Sequence, residues 1–144
     1  MFNGTVSIRN KNGDEKVKIE RSSSPIWTLS WNPSKDEPND ILAVGDWGQK
    51  LSFYQLGGRQ IGKDKALGFD PCCLSFFPGG EYLLIGGSDK KVSLFSKEGV
   101  RLCAIGDMES WVWACRVHVR LDGNRVPHYF AVSALHTWQE RFYI

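Results

Sequence analysis

GTVSI at residues 4–8 is repeated, with small changes, as QKLSF at residues 49–53 and KKVSL at residues 90–94. The serines of these three phrases are 45 and 41 residues apart. A strand-like phrase that returns every ~40–45 residues is typical of the blades of a WD-type β-propeller. The sequence therefore predicts an all-β array of sheets, in which each sheet covers its faces with its neighbours.

The length of the chain predicts how many blades it holds. Its 144 residues supply about three blades of ~40–45 residues, whereas closed propellers contain typically ~4–8 blades. We expect a WD40-type β-propeller fragment from a larger protein, with two complete four-stranded blades and parts of two others. The complete blades are expected at residues 26–62 and 72–105.

Period-2 alternation predicts which side chains share a face of the first complete blade. In IWTLSW at residues 26–31, the side chains of Trp27, Leu29 and Trp31 fall on one face. Phe76 lies at a comparable place in the second complete blade. We expect Trp27, Trp31 and Phe76 to belong to the core between blades.

Composition argues against a nucleic-acid-binding protein. The 18 basic and 16 acidic residues give a net charge of +2 and a pI of about 8.4, below the strongly basic range of nucleic-acid-binding domains. Six Trp, eight Phe and four Tyr could form stacking platforms for single strands. No basic run interleaves with them, so no nucleic-acid partner is expected.

The cysteines predict neither a metal site nor a disulfide framework. Cys72 and Cys73 are adjacent, so on a strand they point to opposite faces. Together with Cys103 and Cys115 they match no zinc spacing, and we expect reduced thiols. The chain begins without the pattern of a signal peptide and has no run of ~18 apolar residues, so no transmembrane segment is expected.

Two aspartates and one Cys/His pair are candidate ligand or catalytic residues. Asp46 and Asp89 are expected between the second and third strands of their blades, where a carboxylate caps backbone N–H groups; a ligand or catalytic acid is the alternative. Cys115 and His118 could form a nucleophile and base, but no third group orients them.

The histidines do not suggest a metal site. His118, His128 and His136 have spacings that match no metal-binding pattern. We therefore predict no enzyme, no catalytic residue, no metal ligand and no cofactor.

The end of the chain departs from the repeat. From Val117 onward, the mixed segment that includes His128, His136, Trp138 and Arg141 follows neither the strand nor the helix period. The predicted division is a partial WD-repeat β-propeller at residues 1–116 and a divergent tail of uncertain structure at residues 117–144.

Several long strings resemble the N-terminal WD-repeat region of the intraflagellar transport protein 122 family. They are FNGTVSIRNKNG (2–13), NDILAV (39–44), DWGQK (46–50), FDPCC (69–73), GGSDK (86–90) and SWVW (110–113). The resemblance covers about residues 2–116.

The resemblance implies a role in cilia. Members of this family are large cytoplasmic scaffold subunits of the intraflagellar transport A complex, with tandem propellers followed by helical repeats. It implies retrograde transport, cilium assembly and entry of receptors into cilia. The implied partners are other subunits of that complex and ciliary cargo adaptors. The implied location is the cilium, its base and the cytoplasm, in association with the cytoskeleton. The alternative is a general WD-repeat adaptor, such as a vesicle-coat subunit.

Overall fold

The computed structural model describes residues 3–21, 24–35 and 40–121, and the backbone of two further strands at residues 127–135 and 138–143. Within these ranges the chain forms strands and turns and contains no helix. None of the described residues accordingly belongs to a helix long and apolar enough to cross a membrane.

The described strands form four antiparallel sheets. The first sheet pairs β1 (Thr5–Arg9) with β2 (Glu15–Glu20). The second sheet contains, in order, β3 (Ile26–Trp31), β4 (Ile41–Asp46), β5 (Lys50–Gln55) and β6 (Gln60–Ala66). The third contains β7 (Pro71–Phe76), β8 (Tyr82–Gly87), β9 (Lys91–Ser96) and β10 (Arg101–Asp107). The fourth contains β11 (Ala114–Leu121), β12 (Pro127–Leu135) and β13 (Trp138–Tyr143).

This arrangement confirms the predicted fold class. The second and third sheets are complete blades of four consecutive strands, and the first and fourth are parts of blades. In the segment that the sequence analysis could not place, the backbone forms an up-and-down sheet, in which β12 pairs with both β11 and β13.

The turns repeat along with the strands. Gly13, Gly58 and Gly99 follow the three KKVSL-like strands and have φ of 88°, 89° and 86°. Such left-handed backbone favours glycine, because a Cβ would be strained there. In the preceding turns of the complete blades, Gln49 and Lys90 adopt φ of 60° and 61°. The hairpin geometry of each unit is therefore encoded locally, at the same interval as the strands.

Apolar clusters fill the three junctions between neighbouring sheets. The first cluster contains Val6, Ile19, Ile26, Leu42, Val44 and Tyr54. The second contains Ala43, Leu51, Phe53, Phe69, Leu74, Phe76, Leu83, Ile85 and Phe95. The third contains Cys73, Phe77, Leu84, Val92, Met108, Val112 and Cys115. Successive residues of β4 and of β8 enter different clusters, so both strands are buried on both faces.

The predicted core position of the β3 tryptophans is wrong, whereas that of Phe76 is confirmed. Trp27, Leu29 and Trp31 are 40%, 49% and 40% exposed, and Phe76 is buried. Leu29 and Trp31 lie opposite Val44 and Leu42, so they share the face that packs on the first sheet. Among the described residues the first sheet consists of β1 and β2. These two strands cover Leu42, Val44 and Ile26, but they do not reach the rest of β3.

The last residue of β8, Gly87, must be glycine because no space remains for a Cβ atom. A Cβ at Gly87 would lie 2.1 Å from the backbone oxygen of Asp70. That oxygen accepts a hydrogen bond from Ser88 N at 3.0 Å, and Ser88 Oγ accepts one from Asp70 N at 2.9 Å. The connection into β7 therefore packs directly on the backbone of β8, without an intervening side chain.

We expect Gly87→Ala to lower the free energy of unfolding by about 1–3 kcal/mol, because the added methyl group forces the backbone apart. Urea unfolding followed by tryptophan fluorescence measures the loss. Gly57→Ala is the matched control, since a Cβ there meets nothing within 4 Å, and it should change stability by no more than about 0.5 kcal/mol. Equal effects of the two substitutions would contradict the close packing described here.

Candidate functional site

Asp46 belongs to a buried ion pair that joins the first sheet to the second. Its Oδ2 accepts a short hydrogen bond from Arg21 Nη2, and only 5% and 1% of the Arg21 and Asp46 side chains are exposed. Arg21 Nη1 donates to the Tyr54 hydroxyl at 3.1 Å, and the guanidinium lies 5.6 Å from the centre of that ring. Burial raises the pKa of Tyr54. These contacts are all internal, so Asp46 holds sheets together.

The two aspartates that the sequence analysis equated occupy different places. Asp46 is the last residue of β4, and its Oδ1 accepts from Gly48 N at 2.8 Å. Asp89 lies in the β8–β9 turn, where its Oδ1 accepts from Lys91 N at 3.2 Å and its Oδ2 is 3.9 Å from Arg101 Nη2. The predicted capping of backbone N–H groups is confirmed for both carboxylates.

The structure does not bring Cys115 and His118 together as a nucleophile and base. They lie on β11 with Cys115 buried and His118 exposed, because residues three apart on a strand point to opposite faces. A hydrogen bond with Cys73 and burial raise the pKa of the Cys115 thiol well above its usual value. A buried, protonated thiol is a poor nucleophile.

The described residues show no cluster of three or more His, Cys, Asp or Glu side chains with metal-binding geometry. The side chains of His128 and His136 lie outside the part that the structure describes. All four cysteines are free, and Cys103 alone among them is exposed. Burial, with smaller effects from Cys73 and Asp70, raises the pKa of Cys72 to about 12.

Four tryptophans form a closed ring of contacts at one end of the blades, which we name the tryptophan tetrad: Trp27, Trp47, Trp111 and Trp113. Trp27 stacks on Trp47 at 4.3 Å between ring centres, and Trp111 stacks on Trp113 at 5.4 Å. Trp27 and Trp113 are 6.1 Å apart, and Trp47 meets Trp111 edge-on at 6.4 Å. Each ring therefore touches two others.

The tetrad draws its members from three places in the fold. Trp27 is at the beginning of β3, Trp47 is in the β4–β5 turn, and Trp111 and Trp113 are in the connection before β11. Trp47 Nε1 donates to the oxygen of Pro71 at 3.3 Å, which holds the tetrad over the start of β7. Trp27 and Trp113 remain 40% and 37% exposed. This rigid aromatic surface is the candidate protein-binding site.

The tetrad is not predicted from the sequence, although one signal is present. Trp27 and Trp113 recur two repeat periods apart at corresponding places in their units. The period-2 pattern of residues 26–31 instead assigns Trp27 to the core between blades, where such a pattern usually places large apolar residues.

A depression lies at the end of the blades opposite the tryptophan tetrad. It has a volume of about 340 Å³ and lies between the turns of the second and third sheets, where Lys65, Glu81, Lys97 and Glu98 line it. Asn32 beside it is committed to the fold, since its Nδ2 donates to the oxygen of Gly80 at 2.9 Å. The lining balances two lysines with two glutamates and favours no particular ligand.

Residues 1–138 match the family model of the IFT122 first beta-propeller. The chain belongs to this family. The matched range extends past Arg116, where the sequence analysis ended the resemblance. The division of the chain at residue 116 remains a prediction.

Relatives with the same family name are similar over most of the chain. The intraflagellar transport protein 122 homolog of Xenopus tropicalis is 71% identical over 129 residues, which cover 88% of this chain. The homologs of Mus musculus and Danio rerio are 70% and 67% identical over alignments of the same length. The chain spans 11% of the length of each of these relatives.

We expect Asp46→Ala to cost about 3–5 kcal/mol of stability, because it leaves the Arg21 guanidinium buried without its counter-charge. Urea unfolding measures the change. Asp107→Ala is the matched control, since Asp107 pairs with Lys91 at 2.6 Å but is 75% exposed, and exposed pairs contribute less than about 1 kcal/mol. A loss below 1 kcal/mol for Asp46→Ala would show that the pair does not hold the sheets together.

The native chain should show one rapidly reacting thiol. At pH 8 the Cys72 thiol stays protonated, since this pH is far below its raised pKa of about 12, and burial shields Cys73 and Cys115. A chromogenic aromatic disulfide should titrate Cys103 first and all four thiols in denaturant. Cys103→Ser should abolish the rapid phase, and a remaining rapid phase would contradict the described burial.

Proposed function

We propose that this chain is part of the propeller scaffold of a non-catalytic subunit of the intraflagellar transport A complex. The observation that carries the proposal is the match of residues 1–138 to the first propeller of this family. The name shared by its relatives supports a role in transport within cilia. The proposed role comprises retrograde transport, cilium assembly and the trafficking of receptors and cargo to cilia.

The arrangement of polar groups supports a non-catalytic role. Arg21 pairs with Asp46 and donates to the Tyr54 hydroxyl inside the first junction, although its Nε is buried without a hydrogen-bond partner among the described residues. Cys73 and Cys115 are buried in the third. Catalysis needs a nucleophile, a base and an orienting group aimed at a space for substrate, whereas these buried groups face protein. We therefore assign to the blades the task of holding surfaces in fixed positions.

The proposed partners are other subunits of the intraflagellar transport A complex and ciliary cargo adaptors. The tryptophan tetrad supports contact with a protein, because tryptophan is enriched among the residues that dominate binding energy at interfaces and Trp27 and Trp113 are partly exposed. The proposed location is the cilium, its base and the cytoplasm. No transmembrane segment and no nucleic-acid partner form part of this proposal.

A chimera tests the proposal in the setting of the whole protein. The aligned segment of the Mus musculus relative is replaced by this chain's sequence and expressed in ciliated cells that lack the endogenous protein. We expect the chimera to co-purify with the transport complex and to restore the return of cargo from cilium tips. Live imaging of a fluorescent cargo, together with mass spectrometry of the captured complex, measures both effects.

The chimera with Gly57→Ala should behave like the unsubstituted one, whereas Gly87→Ala should lower its abundance, because only the second substitution disrupts packing. A stable chimera that captures vesicle-coat proteins in place of the transport complex would favour the general adaptor. A stable chimera that captures neither would reject the scaffold role.

A further inference from the structure

Cys73 and Cys115 are two buried thiols on different sheets that meet across the third junction. Cys73 lies on β7 and Cys115 on β11, and 7% and 4% of their surfaces are exposed. Both belong to the third apolar cluster, and a hydrogen bond joins their side chains. Because β7 and β11 belong to different sheets, the packing of these sheets brings the two thiols together.

The backbone around Cys73 holds its sulfur next to the connection into the fourth sheet. Cys73 Sγ lies 3.7 Å from the oxygen of Gly86 on β8 and 3.7 Å from the oxygen of Val112, which precedes β11. A Cβ at Gly86 would lie 2.9 Å from Cys73 Sγ and 2.5 Å from Val112 Cγ1. The missing side chain of Gly86 therefore leaves the space in which the sulfur reaches the other sheet.

The other two cysteines occupy different surroundings. Cys72, although adjacent in sequence, donates from its Sγ to the oxygen of Asp70 at 3.7 Å. Cys103 is exposed on β10, an edge strand of the third sheet. Of the four described cysteines, Cys73 and Cys115 are therefore the pair that is hydrogen-bonded across two sheets.

We propose that Cys73 and Cys115 form a disulfide that cross-links the third sheet to the fourth when the chain meets a small oxidant such as glutathione disulfide. One protein thiolate attacks the oxidant, so a bond to the protein sulfur forms, the S–S bond of the oxidant breaks and one glutathione thiolate leaves. The second protein thiolate attacks the protein sulfur of this mixed disulfide and expels the other glutathione thiolate. Two electrons pass from the protein thiols to the oxidant, and two protons end on two molecules of reduced glutathione.

The packing of the third junction controls when this reaction occurs. The hydrogen bond with Cys73 and burial raise the pKa of the Cys115 thiol, and the thiolate is the reactive form, so the closed junction keeps the pair reduced. When the junction opens, both thiols reach water and the oxidant, and reclosing brings the mixed disulfide beside the second thiol. The disulfide therefore forms only after an opening, and it prevents the two sheets from separating again.

Two full-length chains that each keep two cysteines test the proposal. Both carry Cys103→Ser, which removes the exposed thiol. The first also carries Cys72→Ala and keeps the proposed pair, whereas the second carries Cys73→Ala and keeps Cys72 with Cys115. Each purified chain is incubated with glutathione disulfide, and mass spectrometry without reductant follows the cross-link. We expect the first chain to form it at least about tenfold faster, because a disulfide needs two close and correctly directed Cβ atoms.

The same incubation in urea is the control for the fold. There the two chains should cross-link at similar rates, because an unfolded chain does not distinguish adjacent cysteines. Thermal unfolding gives a second readout, in which the cross-linked first chain should unfold about 10 °C above its reduced form. Equal rates in the two native chains, a glutathione adduct without a cross-link, or an unfolding temperature that does not rise would overturn the proposal.

The first chain decides the question even if Cys73→Ala impairs folding, which thermal unfolding of the reduced chains reveals. In that case a cross-link that raises the unfolding temperature of the first chain supports the proposal, and no cross-link or no rise overturns it. The inference goes beyond the proposed scaffold function and does not depend on it, since it is measured on the purified chain and not on capture of the transport complex.

Loosening the third junction should speed up the reaction. Val112 is fully buried in this junction, so Val112→Ala weakens its packing and should raise the rate of cross-linking in the first chain about tenfold. Val44→Ala, at an equally buried position of the first junction, is the matched control and should change the rate less than about threefold. Equal acceleration by the two substitutions would show that the chain opens as a whole and would overturn control by the third junction.

Discussion

The inner strands of each complete blade must be covered on both faces, and the rest of the structure depends on this constraint. In β4, Leu42 and Val44 enter the first junction, whereas Ala43 between them enters the second. Fully burying one leucine or valine contributes about 1.5–3 kcal/mol, so a blade without neighbours forfeits several such terms. Leu29 and Trp31 stay partly exposed because the first sheet does not extend over them.

Each junction combines this apolar burial with a different polar contact. The first contains the ion pair of Arg21 with Asp46. At the second, Thr28 Oγ1 accepts a hydrogen bond from Leu74 N at 3.1 Å. Cys73 Sγ, at the third, donates to the oxygen of Val112 at 3.7 Å. Because a buried polar group is costly without its partner, these contacts favour one order and one register of otherwise similar sheets.

Because the sheet faces are buried in the core, the ends of the blades and the outer strands are the surfaces left to contact other molecules. The two ends differ in chemistry. One presents the tryptophan tetrad, and the other presents a depression lined by balanced lysines and glutamates. A scaffold subunit needs surfaces that are rigid and distinct from one another. The tetrad meets both needs, because stacked rings from separate connections hold each other in place.

Period-2 alternation and glycines such as Gly13, Gly58 and Gly99 act locally, so the sequence alone predicts the strands of the two complete blades, their order and their turns, but not β12 and β13. It also determined the family. Which strand faces are covered depends on the packing of the sheets, because alternation shows which residues share a face and not what lies opposite. The contact between Trp47 and Trp111 therefore arises from the packing of the sheets. The recurrence of Trp27 and Trp113 in the sequence indicates that they hold corresponding positions, but it does not predict that their rings touch.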